Sequence, residues 1–151
     1  MSEEISQVGI THAGVIAALH GECFETAWDV KAVTEILAMP GAVALISAEN
    51  DCPNGFALFR MAADEAEIIT IGVTRDARRG GHGGRLLQAS IQSAKLCGAA
   101  KMFLEVAEDN VGARALYEKC GFTVCGRRSG YYYHGSGKID ALIYELEIIA
   151  K

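Results

Sequence analysis

The sequence predicts an α/β (α+β) domain on a mixed central sheet of about six to seven strands, antiparallel in its N-terminal part, with helices on both faces. Three observations carry this reading. The chain has 151 residues, enough for one domain with a real core. Between Ala42 and Val73, apolar runs rich in β-branched residues alternate with short polar turns, the pattern of an antiparallel meander. Finally, the strand-like run Glu67–Val73 leads into a helical segment and then into a second strand-like run, Lys101–Val106. That is a β-α-β unit, whose two strands run parallel at the centre of the sheet.

Each element has a local reason. Thr11 is placed to cap a first helix over His12–Cys23. Asp29 is placed to cap a second that runs to about Met39, with Val30, Val33, Ile36 and Leu37 at helical spacing and Pro40-Gly41 as its stop. Ala42–Ser47 is a short apolar strand, Glu49-Asn50-Asp51 a turn and Gly55–Ala62 the returning strand. Asp64-Glu65 turns the chain again into Glu67–Val73. A helix over Gly83–Cys97 carries Leu86, Leu87, Ile91 and Ala94 on one face, and Lys101–Val106 follows as a strand. Val111–Lys119 is a short helix that Gly121 is placed to end. Phe122–Arg127 and Ala141–Ile149 are the last strands, with the tyrosine-rich, glycine-punctuated stretch Ser129–Gly137 expected as a loop between them. No repeat, linker or low-complexity tract interrupts the chain, so residues 1–151 read as a single domain.

Composition narrows the partners. A formal net charge of −5 argues against nucleic acid, which calls for a basic face. It suits a cationic partner such as a basic peptide, although a soluble surface alone gives the same sum. No apolar run reaches the length of a bilayer span, so no membrane association is expected. Met1-Ser2-Glu3-Glu4 is acidic and lacks the basic-then-apolar order of a secretory signal, which points to the cytoplasm. Five cysteines (Cys23, Cys52, Cys97, Cys120 and Cys125) are an odd number without a C-x-x-C pair. They sit among apolar residues and are expected as buried free thiols, with no disulfide framework and no metal site.

The most informative stretch is IGVTRDARRGGHGGRL, residues 71–86. An apolar strand runs into a basic, glycine-rich turn that opens a helix. Glycines let backbone N–H groups approach an anion, and a helix start adds unpaired N–H groups and a positive dipole end. Together these make a cradle for a pyrophosphate. A Walker loop needs Gly-Lys-Ser/Thr, which is absent, and the glycine order does not fit the dinucleotide fingerprint. A glycine-rich helix start with scattered arginines is the plain alternative.

The spacing Arg78-x-x-Gly81-x-Gly83 resembles the R/Q-x-x-G-x-G/A motif of the GNAT acetyltransferases, which bind acetyl-coenzyme A. A second stretch is also similar to that family: Leu104-Glu105-Val106 followed by Asn110-x-x-Ala113-x-x-Leu116-Tyr117-Glu118-x-x-Gly121-Phe122. Both motifs occur in the family's order. Within the family the chain resembles the RimI type, whose members acetylate the N-terminal alanine of a small-subunit ribosomal protein. Asp64-Glu65-Ala66, Arg127-Arg128, Tyr131-Tyr132, Asp140-Ala141, His20, Glu22-Cys23-Phe24 and Trp28 carry that likeness. Departures are Arg75 for the usual proline, His82 for an apolar residue inside the glycine turn, and Ile139 for the glutamate before Asp140-Ala141.

The resemblance implies an enzyme of acyl transfer, with acetyl-coenzyme A and a basic protein N-terminus, that of a ribosomal protein, as its substrates. It implies a sheet splayed between the central parallel pair. Backbone N–H groups of Arg79, Gly80, Gly81, His82, Gly83 and Gly84 would hold the diphosphate, with Arg78, Arg79 and Arg85 adding charge. The strand edge Ile71, Gly72 and Val73 would bond the pantetheine arm, with Gly72 easing the distortion. His82 reads either as a phosphate contact or, in preference, as a tolerated exposed position. Asn110 would bond the pantetheine amides, cap a helix, or do both. Glu105 is the expected general base, beside the splay at the end of a buried strand, with Glu67 as competitor; alternation puts Glu67 on one face with Ile69, Ile71 and Val73. Tyr117 is the expected acid for the departing thiolate. Tyr131 and Tyr132, with Tyr133, are expected in a loop that walls the peptide channel, or as strand aromatics on the core. Trp28 is expected to pack between helices. Acetylation of a small amine or a lysine side chain, and a non-catalytic coenzyme A-binding module, are the alternatives.

Overall fold

The computed structural model describes residues 3–24, 26–78, 81–134 and 137–148. Strands β1 (Glu3–Val8), β2 (Ala42–Glu49), β3 (Cys52–Ala62), β4 (Glu65–Val73), β5 (Lys101–Ala107), β6 (Thr123–His134) and β7 (Gly137–Glu147) form a seven-stranded sheet in the order β1-β2-β3-β4-β5-β7-β6. Helices are α1 (Ala13–Cys23), α2 (Val30–Leu37), α3 (His82–Leu96) and α4 (Val111–Lys119). The β4/β5 pair is parallel and every other neighbouring pair is antiparallel, as the β-α-β reading predicts.

Strand alternation sorts the core onto two faces. Phe56 and Leu58 of β3, with Ala44 and Ile46 of β2, pack under Ile16 and Leu19 of α1 and Val33 of α2. On the other face, Leu87, Ile91 and Ala94 of α3 and Tyr117 of α4 cover Phe59, Ala66, Ile68, Met102, Leu104, Val106, Leu142 and Tyr144. Asp29 caps α2 by accepting from the Ala32 N–H at 2.8 Å. Asn50 and Asp51, both at positive φ (53° and 66°), make the tight turn between β2 and β3. Gly121 at φ 101° lets the chain leave α4.

Several expectations are corrected. β1 is a strand that the sequence pattern does not predict: its run of Glu3-Glu4-Ile5-Ser6-Gln7-Val8 is mostly polar, and pairing with β2 overrides propensity. Thr11 is not a cap. A single 3-10 turn over Ile10–His12 precedes α1, and the Thr11 hydroxyl meets the His12 ring instead. α2 stops at Leu37, short of Met39. Cys52, Cys97 and Cys125 are exposed, and only Cys23 and Cys120 are half-buried. Ser129 to His134 and Gly137 onward belong to β6 and β7, so the tyrosines sit in a strand and not in a loop. Gly135, Ser136 and Ile149 lie outside the described residues.

The feature that positions the site is in β4. It pairs with β5 only at Glu65–Lys101, Ala66–Met102 and Glu67–Phe103, and beyond Glu67 no β4/β5 pairing continues. The register on the β3 side slips there too: Phe59 faces Ile68 while Leu58 faces Thr70, leaving Ile69 as a bulge. The bulge flips the parity of the strand. Ile71 and Val73 therefore pack with the α3 side, while Ile69 lies on the α1 side with the face that Glu67 presents. Glu67 thus does not share a face with Ile71 and Val73, because the expected alternation counted through an irregularity that has no sequence signature.

Gly72 is not where the strand distorts; it makes room. A Cβ there would stand 3.0 Å from both Cys23 Sγ and Phe56 Cε1. Phe56 is fully buried and has nowhere to go. Gly72→Val is expected to cost about 1–3 kcal/mol by overpacking, read as a lowered urea midpoint at unchanged m-value. An unmoved midpoint would show that this contact is slack.

Candidate active site

Two cavities border β4, one along its open end and one beside its paired end. The larger, about 710 Å³, is a cleft running from the α1 end (Cys23, Phe24) past Ile71, Gly72 and Val73 to Gly81, Gly83 and Gly84, and on to α4 at Asn110, Ala113, Leu116 and Tyr117. The second, about 350 Å³, is a trough on the sheet face that α1 and α2 leave uncovered, lined by Arg60, Glu65, Glu67, Phe103, Glu105 and Arg128.

The cleft collects most of the residues the glycine motif nominated. α3 starts immediately after Gly81, whose φ of 79° is the left-handed conformation that favours glycine. A Cβ on Gly83 or Gly84 would come within 3.5 Å or 3.7 Å of Leu116, narrowing the cleft between α3 and α4. Arg78 lines the cleft, but its Nε donates to the Val73 carbonyl at 2.9 Å, tying the turn to the end of β4. Burial pushes the Cys23 thiol up, and the Arg78 guanidinium beside it works in the opposite direction. Arg79 and Gly80 lie outside the described residues. The free edge of β4, the glycine turn and the helix start fit a ligand that carries both amides and a diphosphate.

His82 stands apart from the phosphate side. It is 8% exposed, not an exposed position. Its ring lines a separate polar cavity, with Nε2 3.9 Å from Glu49 and Nδ1 3.3 Å from an Arg85 nitrogen. Only its backbone belongs to the turn. Asn110 caps α4, accepting from the Ala113 N–H at 3.2 Å, and also borders the cleft. Trp28 stacks on His20 at 4.5 Å, a packing role, and Phe24 stacks on the other side at 4.4 Å. Burial holds His20 below its usual range, so it sits neutral in this stack, its Nδ1 accepting from the Trp28 N–H.

Glu105 and Tyr117 do not line the same cavity. Met102, Leu104 and Val106 alternate with Glu105 along β5 and pack with Tyr117, so Glu105 lies on the opposite face, in the trough. Glu105 is two positions past Phe103, the last β5 residue paired with β4, and therefore stands at the level of the opening. Its side chain is 21% exposed, with Oε2 2.6 Å from Arg128 Nε. Glu67 belongs to the last closed pair and has the trough in common with Glu105. Tyr117 is buried, ringed by Phe122 and Tyr144, and burial with Tyr132 nearby pushes its hydroxyl up to about 12. Tyr132 is electrostatically coupled to both Tyr117 and Glu105, and burial first, then the Glu105 charge, raises it.

Tyr131 and Tyr132 stand on a bulge of β6. Arg128 faces Ala141 and Tyr132 faces Ile139, so three residues of β6 oppose Asp140 alone. Asp140 fastens the bulge, accepting from the Gly130 N–H at 2.8 Å and from Arg127 at 2.7 Å; these contacts hold it below the usual carboxylate range. Tyr131 is 52% exposed, packs edge-on to Tyr132, and lies 5.2 Å under the Arg128 guanidinium. The Tyr133 side chain lies outside those described. Cys23, Phe24, Leu116 and Arg128 line these cavities as well; all four belong to motifs that carry the family likeness, but the sequence reading gave them no role in the site.

The sequence matches the model of the acetyltransferase (GNAT) family over residues 15–122. The chain belongs to that family. It is 39% identical over 93 residues to the [ribosomal protein bS18]-alanine N-acetyltransferase of Escherichia coli K12, an alignment covering 62% of this chain and 63% of the relative. The match thus spans less than two thirds of that relative's length. The crystal structure of the ribosomal-protein-S18-alanine N-acetyltransferase from Escherichia coli superposes with a TM-score of 0.92 at 28% identity, covering 99% of this chain and 96% of the other. A Salmonella typhimurium acetyltransferase solved with its cofactor acetyl-CoA shares the fold, with a TM-score of 0.83 at 20% identity over 100% of this chain and 96% of that one. Among the described residues no helix is long and apolar enough to cross a membrane, and no group of side chains is arranged to hold a metal.

In this GNAT chain the Tyr117 hydroxyl is a proton store that neutral pH does not empty. Because its folded value of about 12 exceeds the ordinary tyrosine value of 10.0, the stability tied to it is intact below about pH 10 and falls as pH rises toward 12. An ultraviolet titration is expected to show one tyrosine ionising late, a step that Tyr117→Phe removes. Loss of an ordinary early step would contradict the burial argument.

Proposed function

We propose that the chain transfers an acetyl group from acetyl-coenzyme A to the α-amine of a protein N-terminus, with the N-terminal alanine of a small-subunit ribosomal protein as the preferred acceptor. The observation that carries this reading is the opening of β4 from β5 after Glu67–Phe103, with Glu105 on one side of it and Tyr117 on the other. The relation to bS18-alanine N-acetyltransferases supports the choice of acceptor.

Acetyl-coenzyme A supplies an activated acyl group as a thioester. The residues present fit its parts. The turn at Gly81, Gly83 and Gly84 offers N–H groups and the dipole end of α3 to the diphosphate. The unpaired edge Ile71–Val73 offers strand-like hydrogen bonds to the amides of the arm, and its N–H groups stabilise negative charge developing on the acyl oxygen. Asn110 borders the same path.

An α-amine suits this site better than a lysine. Its reference pKa is about 7.7–8.0 against about 10.4 for lysine, so far less work is needed to make it a nucleophile at neutral pH. Glu105 takes the proton from the entering ammonium, whose charge the neighbouring Glu65 and Glu67 favour. Arg128 holds the Glu105 carboxylate in place beforehand and stacks on Tyr131, which walls the acceptor's path together with Tyr132. Tyr117 keeps its proton until a thiolate leaves and then donates it. The net charge of −5 draws a basic N-terminal peptide toward the protein.

Glu105→Gln and Tyr117→Phe are each expected to keep coenzyme A binding while kcat drops by about 10²–10⁴-fold. Thiol release and the mass of an alanine-starting basic peptide give the readouts. The same peptide with its terminus blocked is expected to gain no acetyl group. Acetylation of the blocked peptide would favour a lysine acceptor, and wild-type turnover in both variants would remove the assigned roles.

A further inference from the structure

The polar cavity that the His82 ring lines holds about 460 Å³, within the size range of small-molecule sites. It is lined by residues of the β2–β3 turn, the end of α1 and the segment after β4, and among the described residues it shares only Arg78 with the cleft. Its floor is polar. Asn54, Thr74 and His82 are 8%, 7% and 8% exposed. Polar side chains buried to that extent are normally hydrogen-bonded. Two of these carry groups that are not. Among the described residues the Thr74 hydroxyl has no partner. Asn54 has Ser47 alone, whose hydroxyl donates to Oδ1 at 2.8 Å, so the Asn54 –NH₂ donates to nothing. No side-chain nitrogen or oxygen sealed from solvent lacks a partner among the described residues, so both groups open onto the cavity they line. The rim carries both signs of charge. Glu22 and Glu49 supply carboxylates, and Arg78 supplies a guanidinium oriented by its 2.9 Å bond to the Val73 carbonyl. His82 stands where the glycine motif usually has an apolar residue, and so this wall is polar too.

We propose that this cavity binds a small zwitterion, a free α-amino acid, separately from the acyl donor and acceptor. Its carboxylate accepts from the Thr74 hydroxyl and the Asn54 –NH₂ beside the Arg78 charge, and its ammonium lies against Glu22 and Glu49. A ligand of one charge alone does not match the lining. An anion would face the two carboxylates, and a simple cation would leave two buried donors unused next to a guanidinium. The site stands whether or not coenzyme A binds, since the groups that hold the zwitterion, Arg78 apart, lie outside the cleft.

The test is a titration of the full ¹⁵N-labelled chain, without coenzyme A, followed by amide NMR. The probes are L-serine, N-acetyl-L-serine, which lacks the ammonium, and L-serinamide, which lacks the carboxylate. L-serine is expected to give saturable shifts centred on the amides of Asn54, Thr74 and His82. Each blocked form is expected to bind about tenfold more weakly or not at all. Thr74→Val, which keeps the side-chain shape and removes the hydroxyl, is expected to weaken L-serine binding about fivefold to tenfold. Glu49→Gln, on the partly exposed rim, is expected to weaken it about tenfold. The remaining amide spectrum reports whether each variant keeps its fold, and the three probes on the wild type decide the matter without the variants. Absence of saturable shifts with L-serine would show the cavity to hold water only and overturns the site. A blocked form that binds as tightly as L-serine overturns the zwitterion.

Discussion

The molecule is organised around a broken ladder. Backbone N–H and C=O groups inside a sheet are almost always paired, yet β4 and β5 stop pairing after Glu67–Phe103 in the middle of the domain. β5 tolerates this because β7 pairs with it along its whole length, from Lys101–Glu147 to Ala107–Ala141. β4 tolerates it because β3 stays alongside as far as Gly55–Val73. The edge left over is a strand waiting for a partner, and a pantetheine arm, with its two amides in an extended chain, is chemically one. This edge lies within the cleft, whose other lining residues come from α1 and α4.

Electrostatics divides the opening into two environments. On the α3/α4 side the charges lining the cleft among the described residues are a guanidinium and backbone dipoles, suited to phosphates. On the trough side carboxylates from β4 and β5 alternate with Arg60 and Arg128, suited to an ammonium group that must give up its proton. The cleft and the trough thus carry charges of different kinds within one protein of net negative charge. Tyr132 interacts electrostatically with a group on each side, Tyr117 and Glu105.

Much of this was legible in the sequence. The meander, the β-α-β unit, the cap of α2 at Asp29 and the span of α4 all follow from local patterns of apolar spacing, capping residues and glycines. The gathering of Ile71–Val73, Gly81, Gly83, Gly84, Asn110 and Tyr117 at one cleft was implied by the resemblance of the two motifs to the GNAT family. What could not be read shares a physical origin. The bulge at Ile69 inverts strand parity without any glycine or proline to mark it. The Glu105–Arg128 ion pair joins strands distant in sequence. His82 reads as a surface tolerance because its burial is supplied by the β2–β3 turn, which packs against it from far upstream. β1 forms because β2 offers an edge, not because its residues favour extension.

The fastening at Asp140 has a consequence for how such a protein diversifies. Three residues of β6 lie against this single residue of β7, and pairing resumes in register on either side. Length added to the tyrosine segment is thus absorbed locally, and neither the hydrophobic layer beneath nor the strand bearing Glu105 is displaced by it. Under the proposed function, the segment that would wall the acceptor's path can change in length while the rest of the sheet stays in place.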